Sequence, residues 1–234
     1  MDNYHSGHGL RVLYVLESFP HVTHSYIQTE IDAMRRFGVH VEVWSSRPPF
    51  STCTTNVPVH NGSLQEAIES ATPHLLHTHW SRMVNRFRDV VAGYGLPVTV
   101  RGHQPYDVGP EFTDVLQSDP VVRSVYIYSR IAAKLPAAYT KIIPVDACFD
   151  PDLYFPESGK NPKLVFRAAP ARTVKELDLF MRVARRCQAH QFVLMAGSTS
   201  ELACPDQLRE YNRKLGEPVD LRIDVSRGSL SVYA

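Results

Sequence analysis

Cysteine is scarce in this chain of 234 residues and poorly placed for chemistry. Cys53, Cys148, Cys187 and Cys204 stand far apart and make no C-x-x-C pair. That fits reduced thiols in a cytoplasmic protein better than a disulfide framework or a zinc site. Long apolar runs are lacking too, and none approaches the roughly 20 residues that a membrane span needs. The first residues, MDNYHSGHG, have neither the charged nor the apolar region of a signal peptide. Charge of one sign is not in excess, with 25 Lys and Arg against 24 Asp and Glu, so there is no nucleic-acid signature. G-x-G-x-x-G, the P-loop and the nucleophile elbow are all missing. These absences predict a cytoplasmic protein with an ordinary apolar core. Two arginine clusters, Arg82, Arg86 and Arg88 and then Arg182, Arg185 and Arg186, read first as solvated helix faces. Docking on acidic lipid at the inner face of a membrane is the second reading.

What is present alternates. Arg11 to Leu16 reads as a buried strand. After Pro20, Thr23 or Ser25 can cap a helix in which Ile27, Ile31 and Met34 repeat at helical spacing until Gly38 ends it. Val39 to Ser45 is the next strand, and Arg47 to Gly62 reads as a loop. A helix over Leu64–Ala71, a strand over Leu75–His79 and a helix over Trp80–Tyr94 follow. The strand Val98–Val100 comes next, then a short helix over Glu111–Gln117 and a strand over Val121–Tyr128. Ser129–Ala138 is helical and Lys141–Val145 a strand. Prolines 144, 151, 156 and 162 punctuate the stretch from Asp146, which reads as a linker. The alternation then restarts, with strands at Leu164–Ala168, Gln191–Ala196 and Val219–Val225 and helices at Val174–Cys187 and Pro205–Leu215. Ser229–Ala234 could begin another helix. Strands alternating with helices predict an α/β protein with a parallel, doubly wound sheet followed by a smaller second one.

Two stretches carry the polar chemistry. The first is VTVRGHQPYD, residues 98–107, where a short strand ends in Arg101, His103, Tyr106 and Asp107. Ligands of open α/β sheets bind beyond the carboxyl ends of the strands, so this cluster stands where such folds work. Ten of the eleven histidines precede residue 104, and His77 and His79 share one face of a strand. No carboxylate or thiol near them in sequence completes a ligand set, so packed or hydrogen-bonded histidines are expected and no metal. The second stretch is RAAPARTVK, residues 167–175. Small residues at a strand end, Arg172, Lys175 and a helix N-terminus together suit a phosphate or diphosphate.

The order and wording of these segments resemble glycosyltransferase family 4, of the GT-B fold. FPHVTHSYIQTEIDAMRRFGVHVEVWS is similar to the family's N-terminal loop and helix, with Thr23, His24, Ser25 and Tyr26 in the place of a Ser-Glu-Thr-Phe-like motif. HTHW at 77–80 resembles its His-x-His, and VTVRGHQPYD the strand whose terminal histidine faces the cleft. TKIIPVDACFDPDLYFP resembles the interdomain hinge, and LVFRAAPARTVKELDLF the opening of the donor domain.

The resemblance implies a Rossmann-like acceptor-side domain over 1–146, a linker over 147–162 and a partial nucleotide-sugar-binding domain over 163–234. It implies retaining transfer of a sugar from a nucleotide-sugar donor to a glycan or lipid-linked acceptor, as in polysaccharide biosynthesis, with no cofactor and no metal. His103 becomes the catalytic, cleft-facing group. Arg172 and Lys175 become the donor diphosphate ligands, and Thr23, Ser25 and Tyr26 the acceptor contacts. The sequence departs from the family at Ala169-Pro170, where a Gly-Arg pair is usual, and at Asp146-Ala147, where the hinge has Asn-Gly. The family's spaced glutamate pair has no counterpart in these residues, since Glu210 and Glu217 have the wrong spacing. Two alternatives follow: a truncated, non-catalytic GT-B relative that binds glycan or a partner, and a nucleotide-sugar epimerase or hydrolase.

Overall fold

Two parallel sheets carry the chain. The computed structural model describes residues 9–21, 24–49, 53–103, 110–146, 161–170, 176–197 and 205–225. The first sheet is formed by β1 (Arg11–Ser18), β2 (His40–Arg47), β3 (Val59–His60), β4 (Leu75–His79), β5 (Val98–Arg101), β6 (Val122–Ile127) and β7 (Ile142–Pro144). All neighbours are parallel, in the order β3-β2-β1-β4-β5-β6-β7. The order runs outward from β1 in one direction and then from β4 in the other. Between β1 and β4 lies the switch point of a doubly wound sheet, where a crevice opens at the carboxyl ends of the strands.

Five helices are interleaved with these strands: α1 (Ser25–Arg36), α2 (Leu64–Ala71), α3 (Ser81–Tyr94), α4 (Pro110–Ser118) and the single turn α5 (Ser129–Ala132). One face of the sheet is apolar across its breadth. Leu13 and Val15 of β1, Leu76 of β4, Val98 and Val100 of β5 and Val125 and Ile127 of β6 form one core with α2 and α3. On the opposite face the core is confined to one side. Val12, Tyr14 and Leu16 of β1 and Val41 and Val43 of β2 cover Ile27 and Ile31 of α1. Each such fully buried aliphatic side chain contributes about 1.5–3 kcal/mol. Helix α1 ends where expected. Gly38, at φ 83°, turns the chain so that the Val39 amide donates to the Met34 carbonyl at 3.1 Å.

The second sheet has three parallel strands, β8 (Leu164–Pro170), β9 (Gln191–Gly197) and β10 (Asp220–Ile223), in the order β10-β9-β8. Helices α6 (Leu177–Arg186) and α7 (Pro205–Lys214) lie between them in sequence. Leu177, Met181 and Ala184 of α6 are buried with Phe192, Leu194 and Ala196 of β9, and Phe180 packs at the margin. The chain divides into two compact units, one on each sheet.

Two expectations need correction. The stretch read as a loop from Arg47 to Gly62 contains β3, two residues that pair with Val43 and Trp44. A two-residue edge strand after Pro58 has no periodicity to detect. The helix expected to reach Ala138 stops at Ala132 and runs on in tight turns, with the Leu135 amide donating to Ala132. Pro136 explains this, because it drives the residue before it out of helical geometry. The expected linker lies outside the described residues over 147–160, and the expected final helix lies outside them altogether. Among the described residues no helix is long and apolar enough to cross a membrane.

Candidate functional site

Parallel strands covered on both faces usually read as continuous apolar runs. Strands β4 and β5 do not. Leu76, Val98 and Val100 point into the core shared with α3, whereas His77, His79, Thr99 and Arg101 occupy the other face. Tyr126 of β6 lies within ring-contact distance of His77 and extends this polar face. The polar stretch starts at the switch point, beside β1 and α1, and a glutamate on α1 meets it there.

That glutamate is Glu30. Its Oε1 accepts from Tyr14 Oη at 2.9 Å. The same oxygen stands 3.2 Å from His77 Nε2 and 3.4 Å from His79 Nε2. Neither imidazole nitrogen completes a hydrogen bond, although both are buried. Each ring is tied down through its other nitrogen. His77 Nδ1 lies 2.7 Å from Thr99 Oγ1, and His79 Nδ1 lies 2.7 Å from His103 Nε2. The His79 and His103 rings are nearly coplanar, 15° apart with centroids 4.9 Å apart. With the short nitrogen–nitrogen distance, this is an edge-to-edge hydrogen bond rather than face stacking. Tyr26 and Trp80 flank His103 at centroid distances of 4.9 and 5.7 Å. Tyr128 Oη lies 3.5 Å from His103 Nδ1, at the limit of a hydrogen bond.

Burial and charge compete at this centre. Burial pushes the Glu30 carboxyl upward, but the close approach of His77 and His79 outweighs that and holds it far below the carboxylate range. Burial pushes His79, which is fully enclosed, down to about 4 against the pull of Glu30. Near neutral pH the centre therefore holds an ionised carboxylate and a neutral His79.

Arg101 continues the cluster toward the edge of the sheet. Its guanidinium is buried, donates from Nη2 to the main-chain oxygen of Asp146 at 2.8 Å and lies 5.7 Å from the Tyr128 ring centre. The Asp146 carboxylate accepts from the amide and the hydroxyl of Ser129 at 3.1 and 3.0 Å. Trp80, at the turn between β4 and α3, has φ 71° and ψ 129°, a conformation that costs a bulky residue strain. Its amide donates to the Arg101 carbonyl at 2.8 Å, which holds the strained turn against β5.

The expected site residues are distributed unevenly. His103 follows β5 directly and joins His79, Tyr26, Trp80 and Tyr128. Tyr26 lies in the first turn of α1, and Ser25 is that helix's first residue. Thr23, Tyr106, Asp107, Arg172 and Lys175 lie outside the described residues. Arginines of the two basic clusters meet acidic partners: Arg82 reaches Glu17 at 2.9 Å, Arg88 reaches Asp119 at 3.0 Å and Arg182 reaches Asp178 at 3.3 Å. Sequence reasoning missed Glu30, Tyr14 and Tyr128. For Glu30 a signal existed. It is three residues after Ile27 and four before Met34, so it interrupts the buried stripe of α1 with a carboxylate.

No protein-family model matches the chain, and no curated protein matches it in sequence. Solved structures match it in shape. HepE of Anabaena in complex with UDP-glucose aligns with a TM-score of 0.62 at 14% identity, over 93% of this chain and 69% of that one. Sucrose-phosphate synthase from Thermosynechococcus elongatus gives 0.65 at 12% identity, over 95% and 73%. UDP-N-acetylglucosamine 2-epimerase from Rickettsia bellii gives 0.56 at 10% identity, over 96% and 72%. At these identities the likeness is one of fold, and with its two parallel α/β sheets the chain has a GT-B-like architecture.

Proposed function

We propose that this protein is a retaining glycosyltransferase that moves a sugar from a nucleotide-sugar donor to a glycan or lipid-linked acceptor. The observation that carries the reading is the gathering of His103, Tyr26, Trp80 and Tyr128 at the carboxyl ends of the strands beside the switch point. This is where a doubly wound sheet binds its ligand. The fold it shares with HepE, solved with UDP-glucose, and with sucrose-phosphate synthase supports the same reading.

The physical task is to stabilise charge as it separates. A nucleoside diphosphate leaves while the sugar becomes oxocarbenium-like. His103 is the group proposed to face the transferring sugar. His79 Nδ1 and His103 Nε2 share one proton at 2.7 Å, and His103 Nδ1 is turned toward Tyr128, away from the buried centre. Ser25, Tyr26 and Thr23 are assigned to the acceptor. Arg172 and Lys175 are assigned to the donor diphosphate, where cations offset the leaving charge.

The test is turnover of UDP-, GDP- and ADP-sugars with candidate acceptors by wild type, His103→Ala and Lys175→Ala. Each substitution is expected to lower turnover by about 10²–10³-fold, the usual effect of removing one preorganised group. Unchanged rates in both variants would reject the assignment. A sugar nucleotide epimerised without any acceptor would instead support the second reading, an epimerase related in fold to the Rickettsia bellii enzyme.

A further inference from the structure

We propose that Glu30, His77 and His79 form a binding site for one divalent first-row transition cation of the zinc class, a site that the proposed transfer reaction does not require. The geometry of the three donors carries the inference. A four-coordinate zinc with bonds of about 2.0–2.1 Å sets neighbouring tetrahedral donors about 3.3–3.4 Å apart. Glu30 Oε1 stands 3.2 Å from His77 Nε2 and 3.4 Å from His79 Nε2, and the three donor atoms lie within 4.8 Å of one another. The two oxygen–nitrogen separations suit donors that share an ion. Both Nε2 atoms are buried and approach the carboxylate at ion-pair distance, yet neither completes a hydrogen bond among the described residues.

The surroundings are those that metal ligands require. A ligating imidazole gives its other N–H to an acceptor, which fixes the tautomer and turns the lone pair inward. Here His77 Nδ1 meets Thr99 Oγ1 and His79 Nδ1 meets His103 Nε2, each at 2.7 Å. A ligating carboxylate is itself hydrogen-bonded, and Tyr14 Oη donates to Glu30 Oε1 at 2.9 Å. Two β4 side chains on one face and one α1 side chain supply the ligands, so two packed elements fix the donor spacing. Two nitrogens and one oxygen select zinc, cobalt or nickel over magnesium and calcium, which favour oxygen alone. A set of two histidines and one glutamate leaves a fourth position for water or another ligand.

The test is direct metal binding by the full chain, read without any sugar nucleotide, so that it stands or falls apart from the transferase reading. The purified protein is stripped with a chelator and titrated with Zn²⁺ by calorimetry and with Co²⁺ by visible absorption. One equivalent is expected to bind. Glu30→Gln and His77→Gln, checked for folding by circular dichroism, are expected to lose it. Thr99→Val, which removes only a supporting hydroxyl, is expected to weaken it by about 10–100-fold. The Co²⁺ spectrum of the wild type is expected to lack thiolate charge transfer. The proposal is overturned if no metal binds, if folded Glu30→Gln and His77→Gln bind as tightly as wild type, or if the Co²⁺ spectrum shows cysteine ligation.

Discussion

Replacing Arg101 with methionine should make the protein more stable and, on the proposed transferase reading, less able to bind a nucleotide sugar. Arg101 is only 6% exposed. A buried guanidinium is tolerated when its five N–H groups find partners. This one donates from Nη2 to the Asp146 carbonyl and faces the Tyr128 ring, but its Nε is buried with no partner. Losing a hydrogen bond from a charged group costs about 1.5–3 kcal/mol. Losing the ring contact costs up to about 2 kcal/mol. Against this stands the effective penalty of burying an ion, several kcal/mol even after relaxation, which methionine removes while keeping the apolar stem. The balance favours methionine, by about 1–2 kcal/mol on the precedent of buried ionic groups replaced by apolar ones. Urea unfolding should show a higher midpoint at unchanged slope. On the proposed transferase reading, nucleotide-sugar binding should fall by at least about tenfold, as expected for a charge kept at a site at some cost in stability. A midpoint lowered by the equivalent of about 1 kcal/mol or more would show that the guanidinium is well satisfied, and the reasoning would fail.

Arg88→Ala should cost about 1.5–3 kcal/mol in urea unfolding, because it strips the ion-pair partner from the Asp119 carboxylate, which is 1% exposed and keeps, among the described residues, only the Val121 amide. Arg182→Ala, which breaks an exposed pair, should cost no more than about 0.5 kcal/mol. At position 80 the usual order of small residues should reverse: Trp80→Gly should be more stable than Trp80→Ala by about 1 kcal/mol, since only glycine adopts φ 71° and ψ 129° without strain. Equal midpoints would show that the turn relaxes. Glu42 is pushed up by burial but held lower overall by His60 at 2.5 Å and His40 at 2.9 Å, so its folded value lies below the ordinary 4.5. Its contribution is present above that value and is lost as pH falls through the folded one. Glu42→Gln should therefore be less stable than wild type at neutral pH, with the gap narrowing below about pH 4.5 in unfolding measured across a pH series.

Most of the fold was legible because the strands and helices announce themselves by different periods. Leu64–Ala71 and Leu75–His79 were read to the residue, and the three strands of the second sheet were placed within a few residues. Apolar runs bounded by Gly and Pro suffice for that. The edge strand at Val59–His60 was invisible because its only structural content is a pairing with residues sixteen positions earlier. Ser129–Ala132 was overextended because the local apolar pattern continues past the point where Pro136 forbids the helix. In both cases the deciding fact is a steric or pairing constraint, which periodicity does not carry.

The site divides along the same line. His77, His79, Arg101 and His103 were visible as polar residues at strand ends, and the parallel order brings them together since β4 and β5 are neighbours. Glu30 is hidden from ligand spacing because it precedes His77 by more than forty residues. The topology removes that distance. The helix that follows β1 packs its apolar stripe on β1 and β2, and Glu30, at the margin of that packing, reaches the histidines of β4. A carboxylate on that face is costly unless cations, donors or a metal receive it. Glu30 stands on the apolar stripe of α1, between Ile27 and Ile31, and a buried acid there requires bases opposite; the two histidines of HTHW are the bases that meet it.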